Sequence, residues 1–103
     1  MSIYQQIEFV FTLEHTEQIK TYWFEPNVTI ANFIKTIKNQ AYNDFNIYRE
    51  YNIEIVETGH CSNINGYNSE EAPALVPEHN TSLREKYGNI GYNVSFYIRV
   101  ITN

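Results

Sequence analysis

The sequence predicts an α+β domain in which a mixed sheet of four to five strands packs on one helix. Three observations carry this. Tyr22-Trp23-Phe24 is an aromatic strand that runs into Glu25-Pro26, where proline fixes the backbone and offers no N–H. Behind it Ile30, Phe33, Ile34, Ile37, Ala41 and Phe45 recur at helical spacing. Residues with strict two-residue alternation lie near both ends of the chain.

The first strand holds Ile7, Phe9, Phe11 and Leu13 on one face, alternating with Glu8, Val10 and Thr12. Glu14-His15-Thr16-Glu17 is polar and short enough for a hairpin turn, so residues 18–25 form an antiparallel second strand. Thr29 is placed to cap a helix over about 30–43 by accepting from its first free N–H groups. Lys35, Lys38 and Asn39 fall away from its apolar side, and Asn43-Asp44-Phe45-Asn46 ends it. The third strand covers Tyr51–Thr58, with Ile53 and Ile55 on one face and Glu54 and Val56 on the other; Gly59 ends it.

Residues 59–80 form a long loop rich in turn formers, among them Asn63, Asn65, Gly66, Asn68, Pro73 and Pro77. Ala74-Leu75-Val76, between two prolines, is expected as a very short edge strand. Ser82-Leu83-Arg84-Glu85 fits a capping box, with Leu83 and Tyr87 anchoring one helical turn and Gly88 ending it. The last strand, Asn93–Ile101, alternates Val94, Phe96, Ile98 and Val100 against Ser95, Tyr97 and Arg99. It is long and strongly patterned, so it belongs in the middle of the sheet, parallel to the first strand. The helix then crosses the open face, which is a β-grasp arrangement. Residues 1–103 make one domain with one modest core.

The chain resembles the ubiquitin-like family. Glu25-Pro26, Thr29-Ile30, Asn32-Phe33 and Ile37 resemble that family's second strand and helix start. Ser82-Leu83, Glu85, Tyr87 and Ile90 resemble its late turn, Gly59 sits where it turns after strand three, and Val94 to Val100 match its last strand. The resemblance spans roughly residues 7–101 and implies a β-grasp fold that works through its surface. Three features depart from the family. The sequence closes on Arg99-Val100-Ile101-Thr102-Asn103 rather than a Gly-Gly tail, so covalent attachment through the C-terminus is not expected. The loop at 59–80 is longer. The family's aliphatic patch on strands three and five corresponds here to Val56, Ser95 and Tyr97, a composition that counts against ordinary ubiquitin receptors.

Composition narrows the function classes. Apolar residues make up 43% and aromatics 16%, with nine Tyr and six Phe. The abundance of Asn, Ile and Tyr is what an A/T-rich coding genome produces. Net charge is −5 and the seven basic residues form no run, so a nucleic-acid partner is not expected. A single cysteine, Cys61, makes no internal disulfide, and no apolar run approaches the roughly 20 residues that span a bilayer. The first residues lack the pattern of a signal peptide. An intracellular protein, cytoplasmic or nuclear, without a membrane partner, is expected.

No chemistry-bearing pattern stands out. His60-Cys61 and His79, with Glu70 and Glu71 between them, lack the paired short spacing of a zinc site, so no metal and no cofactor are expected. Cys61 beside His60 has no positioned third group, and a free loop thiol is the plainer reading. The carboxylates Glu54, Glu57, Glu70 and Glu71 read as solvated surface, so an enzyme is not expected. If Tyr22 and Phe24 face the helix, Trp23 turns outward and joins Val56, Ser95 and Tyr97 as a protein-binding residue; the competing possibility is a covered Trp23. The leading expectation is a non-conjugating ubiquitin-like adaptor with a protein partner. The alternative is a viral or mobile-element structural subunit, or an inhibitor of a host protein.

Overall fold

A computed structural model describes residues 6–57, 73–88 and 94–102. Their order is β1 (Ile7–Leu13), β2 (Ile19–Phe24), α1 (Ile30–Asp44), β3 (Asn52–Glu57), α2 (Leu83–Tyr87) and β4 (Val94–Ile101). The four strands form one mixed sheet in the order β2-β1-β4-β3, and α1 is the main helix packed on it. β1 pairs antiparallel with β2 and parallel with β4, while β3 and β4 run antiparallel. The expected central position of the last strand is therefore the observed one. Gly59, Thr58 and Asn93 lie outside the described residues.

The parallel register sets Phe11 beside Phe96, and their rings stack at 5.0 Å with 14° between planes. Phe33 of α1 drops onto this pair. Its ring lies 4.8 Å from Phe9, 4.9 Å from Phe24 and 5.6 Å from Phe96. Tyr87 of α2 meets Phe9 and Phe96 edge-on at 5.8 and 5.9 Å. Aromatic contacts in such tilted and offset geometries add to the area they bury. Ile30, Ile34, Ile37 and Ala41 line the same side of α1 and reach Ile53, Ile55 and Ile98 in the core.

Both helices are capped, and the caps are joined. The Thr29 hydroxyl accepts from Asn32 N–H at 3.2 Å, which satisfies one orphan donor of α1. The α1 amides of Ile30 and Ala31 donate to the carbonyls of Thr81 and Glu78 at 2.9 and 3.0 Å. In return Leu83 and Arg84 donate to the carbonyls of Val28 and Pro26, at 2.8 and 3.0 Å. Ser82 and Glu85 complete the expected capping box at 2.8 and 3.1 Å. Gly88 closes α2 at φ 66°, ψ −154°, a region that only glycine enters without strain.

Ala74-Leu75-Val76 is not a strand. Ala74 makes an isolated antiparallel bridge to Val56, and Leu75 N–H donates to Ile55 O at 2.7 Å. Pro73 and Pro77 flank it and lack the donors that a longer ladder needs. The described sheet thus has four strands and one bridge at its β3 edge.

The phenylalanine cluster gives the first prediction. Phe33 is fully buried against three strands, so Phe33→Ala removes contacts no neighbour can replace. We expect a loss of about 3–5 kcal/mol, read as a lower urea midpoint at unchanged m-value. A change below about 1 kcal/mol would mean that α1 does not sit on this sheet as described.

Candidate functional site

The inner face of the sheet is filled by the core, so the outer face and its edges are the surfaces left for contact. Strand alternation places Glu8, Val10 and Thr12 of β1, Ile19, Thr21 and Trp23 of β2, Ser95, Tyr97 and Arg99 of β4, and Glu54 and Val56 of β3 on this side. The registers turn these residues into rows. Ile19, Thr12, Tyr97 and Val56 form one, Thr21, Val10 and Ser95 the next, and Trp23 with Glu8 a third.

Trp23 is 56% exposed, while its neighbours Tyr22 and Phe24 pack against the core. The outward orientation is thus the observed one, and the indole stays largely exposed among the described residues. Ser95 is exposed and Tyr97 half-buried. Val56 requires a correction. It points away from the core cluster, as alternation demands, but it is 0% exposed and offers no contact surface. The Ala74 bridge lies beside it and Tyr97 across from it. Val56 is enclosed, with the Ala74 bridge at its side, where sequence alternation alone leaves it open.

Ile19, at 58% exposed, is the residue that sequence reasoning missed. It shares the parity of Trp23 on β2, which is the signal that locates it. At the far side of the face Arg99 donates through Nε and an Nη to one Glu54 oxygen, at 3.0 and 2.7 Å. These two residues are direct cross-strand partners, so the pair fastens β3 to β4 and leaves the apolar half of the face toward β2. Trp23 and Tyr97 stand roughly 16 Å apart across that half, with Val10, Thr21 and Ser95 between them.

A second aromatic group sits where α1 turns into β3. Tyr48 is exposed and meets Tyr51 edge-on at 5.8 Å. Arg49 lies over the Tyr42 ring at 5.1 Å, and the Tyr42 hydroxyl donates to the Tyr51 carbonyl. These contacts brace the loop between α1 and β3.

Among the described residues no group of three or more His, Cys, Asp and Glu side chains converges to hold a metal ion. His60, Cys61, Glu70 and Glu71 lie outside the described residues, while His79 is exposed on the segment before α2. No described helix is long and apolar enough to cross a membrane. No protein-family model, curated protein or solved structure matches this chain at a significant level.

Two phenols are held in their neutral form. Burial raises the pKa of Tyr22 above its ordinary 10.0, and the hydrogen bond and negative charge of Asp44 raise it further. Burial raises Tyr87 likewise, with the charges of Glu57 and Glu78 adding to it. Below pH about 10 both states of the protein keep these protons. Above it the unfolded chain loses them first, so the stabilisation disappears as pH rises. We expect urea midpoints to hold steady to about pH 9 and to fall beyond pH 10. Tyr22→Phe should make that fall shallower; an identical slope would remove Tyr22 from the account.

Proposed function

We propose that this chain is a ubiquitin-like β-grasp module that binds a protein partner non-covalently through the outer face of its sheet. The observation that carries the reading is the exposed indole of Trp23 on the same face as Ser95 and Tyr97. A large aromatic left in water costs solvation free energy that burial against a partner recovers, which is why tryptophan and tyrosine recur as binding anchors. The β-grasp assignment is supported by the element order, the parallel β1–β4 pair and the capped helix that follows Pro26.

The face has a defined chemistry. Trp23 and Tyr97 are the anchors, and Val10, Thr21 and Ser95 form a flat, small-residue floor between them. Four strands about 4.8 Å apart and six residues long present roughly 400 Å². A stable interface buries about 800 Å² per partner. The face alone therefore suits a transient contact, and affinity rests on the two aromatic anchors. Val56 is no part of this surface because it is enclosed.

The test compares affinity-tagged wild type with Trp23→Ala/Ser95→Arg in extracts of the native host. Both substitutions fall on the outer face, so circular dichroism and the urea midpoint should stay close to wild type. We expect partners held by the wild type to be lost by at least tenfold in the variant. Equal recovery would exclude this face.

A further inference from the structure

We propose that β2 pairs edge to edge with β2 of a second copy of this chain, giving an antiparallel homodimer with a continuous eight-stranded sheet. This goes beyond the reading above and shares Trp23 with it, while Ser95 and Tyr97 lie two strands from that edge.

The backbone sets the register. Glu14 N–H donates to Ile98 O and Leu13 N–H donates to Gln18 O, both at 2.9 Å. Even-numbered β1 residues thus direct their backbone groups to β4, and odd-numbered ones to β2. The antiparallel register sets those odd residues opposite Lys20, Tyr22 and Phe24. By alternation the N–H and C=O groups of Ile19, Thr21 and Trp23 face away from β1. No described strand pairs with them on that side. Natural edges are usually blunted by bulges, prolines or charges; this one carries a single charge, Lys20, and stays regular until Glu25-Pro26.

The side chains are self-complementary about Thr21. A two-fold axis there sets each Ile19 beside the second copy's Trp23, so two strongly exposed apolar side chains cover each other twice. On the opposite face each Lys20 falls beside the second copy's Tyr22. The Tyr22 hydroxyl donates to Asp44, so the ammonium arrives next to that carboxylate. Lys20 is exposed and makes no ion pair with another described residue. The ladder stops where Glu17 would meet the second copy's Glu25, next to Pro26, which has no donor. Each copy uses the edge once, so the assembly closes as a dimer.

Sedimentation equilibrium of the full chain, from micromolar to about millimolar, reads the mass directly. We expect it to rise from 12.2 kDa to twice that value. Trp23 is the only tryptophan, so its emission should shift to the blue over the same range. Thr21→Pro removes a donor that no described residue of the monomer accepts and should hold the mass at 12.2 kDa with native circular dichroism. Should that variant fail to fold, the charges decide. Lys20→Asp should weaken association at least tenfold, and Lys20→Asp/Asp44→Lys should restore it. A monomer throughout the range, or a dimer indifferent to these substitutions, overturns the proposal.

Discussion

The structure depends on Phe33 of α1 resting on the phenylalanines of two neighbouring parallel strands. Phe9 and Phe11 come from β1, and Phe96 comes from the far end of the sequence. Parallel strands cannot be joined by a tight turn, so the chain must travel a long way before β4 can lie beside β1. Closing that loop costs entropy before any contact returns free energy. The stacked Phe11 and Phe96 rings and the buried Phe33 supply the return at the place where the distant segments meet. Once β4 is central, β3 has its partner and α1 has a floor. A sheet without β4 would leave β1 and β3 on opposite sides of a gap.

The second constraint is the exchange of hydrogen bonds between the two helix starts. Residues Pro26 to Val28 receive the first amides of α2, and Glu78 and Thr81 receive the first amides of α1. Each helix N-terminus would otherwise leave donors without partners at the edge of the core. The exchange fixes the segment before α2 against the start of α1, and so directs Leu83 and Tyr87 into the core. From Ala74 and Leu75 the same segment reaches β3 and helps enclose Val56.

Much of this was legible in the sequence because it is local. The alternation of Ile7–Leu13, the Pro26 stop, the Thr29 cap and the Ser82–Glu85 capping box each depend on neighbours a few residues away. Their structural counterparts match to within about a residue. The central place of β4 could also be inferred, since a long apolar alternation needs cover on one face and partners on both sides. What failed was non-local. Alternation says which way Val56 points, not whether another segment will lie beside it. Ala74-Leu75-Val76 has strand-like composition, but its flanking prolines leave only one bridge. Ile19 lies inside the expected second strand, and its parity with Trp23 places it on the same open face. The outward direction of Trp23 followed from the core positions of Tyr22 and Phe24, which alternation fixes once the helix side is known; its exposure did not.

The outer face and the β2 edge thus owe their form to the inner face. Trp23 is outward because Tyr22 and Phe24 are needed inward, and β2 is an edge because β4 occupies the other side of β1. The side-by-side alignment of β1 and β4 is accordingly the claim on which everything else turns. Cross-strand nuclear Overhauser contacts in isotopically labelled protein test it most directly. The account predicts contacts between Val10 and Ser95, Phe11 and Phe96, and Thr12 and Tyr97, ascending together along both strands. Contacts that ascend along one strand while descending along the other, or none between these strands, would contradict it.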